Sequence, residues 1–123
     1  MIMDLEPSPS LINILEMIRI RPTLYVGPDG DRTVQLNNLQ ALISGYYFAV
    51  YQHQLRDHGT EEYAMFGPYL DERFGWSPGR DPIDAIREAA ASDVEAWDDF
   101  WRLLRDFRDA QKQMQSQDDG SPP

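Results

Sequence analysis

Apolar side chains recur at three- and four-residue steps through most of this chain, which is the spacing of a helix buried along one face. The longest run extends from Thr33 to about Arg56. Its apolar positions are Leu36, Leu39, Leu42, Ile43, Tyr46, Tyr47, Val50 and Tyr51. No stretch long enough to form a strand shows the alternation of apolar and polar residues that is typical of a half-buried strand. The sequence therefore predicts an all-α fold.

Prolines, glycines and capping residues divide this pattern into a compact bundle of four to five helices. The predicted segments are 8–20, 33–56, 68–74 and 82–90, followed by a last helix that starts at the capping box Ser92–Glu95. Residues 21–30 are rich in proline and glycine, so we expect an ordered loop there, or one short strand at 23–27. In either form, the side chains of Leu24 and Val26 are expected to be buried in the core.

The length and composition favour one helical domain with a tail. A chain of 123 residues of which 41% are hydrophobic can bury one core. We expect that domain to cover residues 1–111. Residues 112–123 are expected to form a disordered acidic tail, because no large apolar residue follows Met114.

The chain is expected to stay in the cytoplasm, away from membranes. No stretch approaches the roughly 18 to 20 apolar residues of a spanning helix. The first residues include Asp4 and Glu6, where a signal peptide would carry positive charge.

The charge is strongly negative and unevenly distributed. The formal net charge is −10, and Lys112 is the single lysine. Direct binding of nucleic acid is not expected, because phosphate contacts need clustered lysine and arginine. Residues 57–123 carry a net charge of −9, against −1 for residues 1–56. An acidic half of this kind favours a basic protein partner by steering its approach.

Several kinds of reactive chemistry are absent from the sequence. It has no cysteine, and its two histidines, His53 and His58, have no recognisable nucleophile beside them. Glu95, Asp98 and Asp99 cannot share one helix face, so they do not predict a metal site. No carboxylate is marked as desolvated, which is the condition that would suit it to acid–base catalysis. We therefore expect a protein that is not an enzyme, with no catalytic, cofactor or metal site.

One short run, Arg-x-Arg-Pro-x-x-Tyr-x-Gly at 19–27, resembles a segment near the start of the gyrase B ATPase domain. In that family the next helix carries an asparagine and a catalytic glutamate, whereas residues 39–49 here contain no acid. The glycine-rich motifs that an ATPase needs to hold phosphates are also missing. We interpret the run as a device that ends one helix and turns the chain.

A second resemblance covers about residues 8–110. It combines the 19–27 run, the Gly45-Tyr46 pair in the long helix, the aromatic stretch 69–76 and the acidic aromatic helix 95–107. This order is similar to a group of small, mostly uncharacterised bacterial proteins, some of them immunity- or antitoxin-like partners of secreted toxins. The resemblance implies a binding role and carries over no functional residue.

These observations favour a non-enzymatic binding protein, an immunity-type inhibitor that covers a basic toxin domain with an acidic surface. The expected partner-binding residues are Glu61, Glu62, Asp71, Glu72, Asp98 and Asp99, with Trp76 as an anchor. An alternative is a DNA-mimic inhibitor of a nucleic-acid-binding protein. Another is a structural or oligomerisation module in which Trp97, Trp101 and Leu104 pair with another chain. A nucleotide-binding enzyme is suggested by the gyrase-like run alone.

Overall fold

A computed structural model describes residues 10–28, 30–55 and 57–120, with side chains described as far as Met114. The regular structure in these ranges is entirely helical, which confirms the all-α prediction. The helices are α1 (Leu11–Ile20), α2 (Pro22–Val26), α3 (Arg32–Gln52), α4 (His58–Ala64), α5 (Phe66–Phe74), α6 (Pro82–Ala89) and α7 (Asp93–Gly120). The chain divides into an N-terminal unit, residues 1–65, and a C-terminal unit, residues 66–123.

The N-terminal unit packs α1 against α2 and α4, and α2 against α3. Its core is built mainly from the apolar faces of α1 and α3, with one side chain each from α2 and α4. The buried side chains are Leu11, Ile12, Leu15, Ile18, Val26, Leu36, Leu39, Ile43 and Tyr63. Helix α1 starts at Ser10, whose side chain accepts a hydrogen bond from the Asn13 amide.

The loop or strand predicted at 23–27 is wrong, because the chain forms the short helix α2 there. Pro22 occupies the first turn of α2, where its fixed φ suits a helix and its missing N–H is not needed. Val26 is buried as expected, but Leu24 is exposed. Gly27, at φ +114°, then turns the chain.

Two side chains of α3 hold this turn in place. The amide of Gln35, which is fully buried, donates to the Gly27 carbonyl at 3.2 Å. Asn38 donates to the Val26 carbonyl at 2.9 Å. These bonds satisfy carbonyls that the end of α2 leaves without a helical partner. The 19–27 run thus contributes a helix end and a turn.

The C-terminal unit packs α5, α6 and α7 around an aromatic core. The Phe66 ring lies 5.9 Å from Phe100 and 5.4 Å from Phe107, between ring centroids. Trp97 and Leu104 are buried in this unit and Trp101 is half-buried, edge-on to Phe100. Trp97, Trp101 and Leu104 therefore pack within the C-terminal unit itself.

Asp81 and Ser92 cap the first turns of α6 and α7. The Asp81 carboxylate accepts from the amides of Ile83 and Asp84, at 2.8 and 3.4 Å. Ser92 accepts from the Glu95 amide at 3.2 Å, and Glu95 accepts in return from the Ala91 amide at 3.5 Å.

The first turn of helix α7 leaves Val94 61% exposed. The backbone stays helical to Gly120, into the segment that the composition predicts to be disordered. Glutamine, lysine and methionine at 111–115 are good helix formers, so the helix does not need apolar residues to continue. Residues 121–123 lie outside the described residues.

Within the described ranges, no helix has the length and apolar character that crossing a bilayer requires.

Candidate functional site

The end of α5 and the residues just after it carry two carboxylates and two aromatic rings within six positions of the sequence. We call Asp71, Glu72, Phe74 and Trp76 the α5-end cluster. Helix α5 stops at Gly75, whose φ of +71° is left-handed. The amides of Gly75 and Trp76 both donate to the Asp71 carbonyl, at 2.8 and 3.1 Å. This glycine-based helix end folds the chain back, so that Trp76 stacks on Phe74 with ring centroids 4.9 Å apart.

The cluster is open to solvent. Phe74 is 44% exposed, and Trp76 is half-buried against it. Glu72 is exposed and Asp71 half-buried. Among the described residues, neither carboxylate has a hydrogen-bond or ion-pair partner. In the described structure, the α5-end cluster therefore carries two carboxylates without a partner and one exposed aromatic ring, Phe74.

Arg73 lies within this segment, but among the described residues it pairs with neither Asp71 nor Glu72. Its guanidinium donates to the Tyr69 hydroxyl at 2.8 Å and forms a 3.5 Å ion pair with Asp106 on α7. It also lies over the Phe74 ring, 5.2 Å from the centroid. The hydrogen bond to Tyr69 is the largest cause that raises the pKa of Arg73 above its ordinary value. The Arg73 guanidinium therefore lies at the Phe74 ring of the α5-end cluster rather than on either carboxylate.

The two predicted carboxylates of α7 have different surroundings. Asp98 is exposed and, in the described part of the chain, has no partner. Asp99 is half-buried and forms a 3.0 Å ion pair with Arg102. The acid–base spacing also allows Asp98 to pair with Arg102 or Arg105, but Arg102 bonds Asp99 instead. Asp98 is therefore the more available of the two charges.

Glu61 and Glu62 lie on α4 in the N-terminal unit, whereas the α5-end cluster lies in the C-terminal unit. The Glu61 carboxylate lies 3.4 Å from His58 Nδ1, and both side chains are exposed. The seven predicted binding residues are thus distributed over both units.

The C-terminal unit keeps an excess of acid after its own ion pairs are formed. It holds 13 acidic and seven basic residues. Four of the bases, Arg73, Arg80, Arg87 and Arg102, pair with Asp106, Glu88, Asp93 and Asp99. Pairs at a protein surface contribute at most about 1 kcal/mol each to stability, and the part-buried pair between Arg87 and Asp93 is the most sheltered of the four. Because every base can offset only one acid, the unit keeps a net charge of −6.

Sequence reasoning missed a junction in the N-terminal unit that is built on Asp57. This carboxylate is 8% exposed. One oxygen accepts from the Leu11 amide at 3.1 Å, and the other accepts from the Gly59 amide at 3.1 Å. Asp57 therefore caps the first turns of α1 and α4 at once. The Asp-x-Gly order could have indicated a helix N-cap, but the contact with Leu11 is 46 residues away in sequence.

An open cavity of about 410 Å³ lies beside this junction. It is lined by Tyr47, Val50, Tyr51, Gln54, Leu55, Asp57, Thr60 and Glu61. The Tyr47 hydroxyl donates to the Thr60 carbonyl at 2.8 Å, which ties α3 to α4. Because Asp57 is already engaged by two amides, its carboxylate has a structural role at the edge of the cavity.

Two tyrosines beside Asp57 lead to a prediction about pH. Burial is the largest cause that raises the pKa of Tyr46 and of Tyr47, and the Asp57 charge adds to it. A pKa raised in the folded state means that stability is unchanged below about pH 10 and is lost as the pH rises further. Thermal unfolding between about pH 8 and 11 should show a falling midpoint above about pH 10.

The double variant Tyr46→Phe/Tyr47→Phe should flatten this alkaline decline, while the control Tyr25→Phe should keep it. An equal decline in both variants would contradict the assignment to Tyr46 and Tyr47.

No group of three or more histidine, cysteine, aspartate or glutamate side chains within the described ranges is arranged to hold a metal ion. No protein-family model, no curated protein and no solved structure matches this chain.

Proposed function

We propose that this chain is a non-enzymatic binding protein of the immunity type, which covers a basic toxin domain with the acidic surface of its C-terminal unit. The observation that carries this proposal is the α5-end cluster. It combines two carboxylates that have no partner in the described chain with a stacked aromatic pair, of which Phe74 is exposed and Trp76 half-buried.

In the proposed complex, the aromatic pair supplies binding energy, and the carboxylates orient the basic partner. Exposed aromatic side chains that become buried are common centres of affinity in protein interfaces. Trp76 presents a large apolar surface with little conformational entropy to lose, since Phe74 already holds it. A lysine or arginine of the partner that reaches Asp71 would approach Phe74, which lies one helical turn along α5, where cation–π attraction adds to the ion pair.

The net charge supports rapid encounter with a basic partner. Long-range attraction between an acidic and a basic surface raises association rates, and salt weakens it. Asp98 adds an exposed charge on α7 of the same unit, with no partner among the residues that the structure describes. The α4 carboxylates Glu61 and Glu62 provide a separate acidic element of the N-terminal unit.

The proposal is tested by capture of the partner. The full chain is immobilised and incubated with an extract of its own cells at about 50 mM and about 500 mM salt. A basic protein should be retained at low salt and released at high salt. Retention that is indifferent to salt, or retention of acidic proteins alone, would contradict the proposal. Displacement of the retained protein by double-stranded DNA would assign the chain to the DNA-mimic class instead.

Trp76→Ala should weaken binding of the retained protein by about 30-fold, the loss typical of a central aromatic anchor. The measurement is a titration of purified partner by calorimetry. Tyr25→Ala, which removes a partly exposed aromatic ring from α2, is the control and should change affinity by less than about twofold. Equal effects of the two variants would remove Trp76 from the binding surface.

A further inference from the structure

Helix α3 has an unusual charge pattern for this molecule. No charged residue occurs from Thr33 to Gln52, although 26% of the whole chain is charged. One face of this helix carries the buried side chains Leu36, Leu39 and Ile43. The opposite face is neutral and faces solvent.

The solvent face of α3 is apolar towards its C-terminal end. Phe48 is 66% exposed and Tyr51 83% exposed, one helical turn apart, and Leu55 is exposed just beyond the helix. A helix that is apolar on two sides is normally covered on both. We call the exposed residues Ala41, Gly45, Phe48, Ala49 and Tyr51 the α3 face.

Gly45 indicates what shape of surface would fit there. A Cβ added at Gly45 would meet no atom within 4 Å in the described structure, so packing inside the chain does not require glycine. Glycine costs about 1 kcal/mol relative to alanine inside a helix. Ala41 and Ala49 lie one turn before and one turn after it on the same side. Such a row of small residues lets the backbone of another helix come close.

We infer that the α3 face is an interface between two copies of this chain. The distribution of charge along the chain favours a second copy of this chain as the molecule that covers the α3 face. A chain of net charge −10 repels its own copies wherever their carboxylates approach. Between two α3 faces no ion has to be desolvated, and apolar side chains are buried on both sides. A basic partner finds no opposite charge on this helix, whereas it finds several in the C-terminal unit.

The geometry allows a symmetric contact of modest size. With 21 residues, α3 is about 31 Å long. Antiparallel pairing about a two-fold axis at Gly45 places Ala41 of each copy beside Ala49 of the other. One helix face buries on the order of 400 Å² per copy, about half of a standard interface, so we expect a weak dimer with Kd of about 10 to 100 µM.

Sedimentation equilibrium of the full chain from about 5 µM to about 1 mM tests the inference, since this range spans the expected Kd. The average mass should rise with concentration from one chain towards two. Phe48→Glu should raise Kd by at least about 30-fold, because the dimer would bury an unpaired charge. The control Val94→Glu adds the same charge at an exposed apolar position of α7 and should leave Kd unchanged.

Gly45→Leu gives a second test that does not depend on the fate of Phe48→Glu, because leucine favours the helix while filling the row of small residues. It should also produce monomers. A wild-type chain that stays monomeric over the whole range would overturn the inference, as would a dimer that survives both α3 variants. These results are independent of the proposed partner, whose binding is measured at the α5-end cluster.

Discussion

Asp57→Ala is expected to lower the free energy of unfolding of the N-terminal unit by about 3 to 5 kcal/mol. The substitution leaves two buried amides without an acceptor, at about 1 to 3 kcal/mol each. It also removes a helix cap. The affected donors are the Leu11 and Gly59 amides, each 3.1 Å from a carboxylate oxygen.

Urea unfolding followed by far-UV circular dichroism measures this loss. The matched control is Asp81→Ala, which removes the cap of one helix and should cost about 1 kcal/mol. Asp57→Asn should fall between the two, since an amide group keeps one of the two acceptor oxygens. If Asp57→Ala cost no more than Asp81→Ala, the junction between α1 and α4 would not depend on this carboxylate.

Gly59→Ala is expected to destabilise the chain by about 2 to 3 kcal/mol, because α4 approaches the start of α1 too closely for a side chain. A Cβ at Gly59 would lie 2.8 Å from the Leu11 nitrogen and 2.9 Å from the Ile12 nitrogen. These are backbone atoms, so relief requires α1 and α4 to separate, which also stretches the bonds to Asp57.

The same substitution elsewhere provides the control. Gly45→Ala meets no atom within 4 Å and should stabilise the monomer by about 0.5 to 1 kcal/mol through helix propensity alone. The two glycine variants should therefore shift the urea midpoint in opposite directions. A shift in the same direction would contradict the close contact at Gly59.

The long helices could be predicted from sequence because local signals agree with burial there. The run predicted from Thr33 to about Arg56 forms α3, Arg32–Gln52. The caps at Asp81 and Ser92 are local and depend on residues two to four positions away. Where side chain and backbone donor are close in sequence, the pattern is sufficient to predict the element.

The short helices could not be predicted in the same way. Helix α2 is held by Gln35 and Asn38 from α3, and α4 is joined to α1 through Asp57. Elements of five and seven residues depend on such tertiary contacts, because isolated helices of that length are not stable. The periodicity of α3 was misleading at Tyr51, since apolar residues occur on both of its faces.

For the candidate site, the sequence predicted which residues are acidic but not which of them would be neutralised. Asp99 pairs with Arg102, whereas Asp98 stays unpaired among the described residues. Trp76 was expected as an anchor, but its stacking on Phe74 depends on the left-handed Gly75 between them. The role of these residues in binding stays a prediction.

The affinity of the captured basic protein for a charge-neutralised α5-end cluster tests the central claim most directly. Calorimetric titration compares the wild type with Asp71→Asn/Glu72→Gln and with the control Glu88→Gln/Asp109→Asn, which removes the same number of charges elsewhere in the C-terminal unit. At about 50 mM salt the first variant should bind at least about tenfold more weakly than the wild type and the control within about threefold of it. Equal affinity of the two variants would show that the α5-end cluster does not contact the partner.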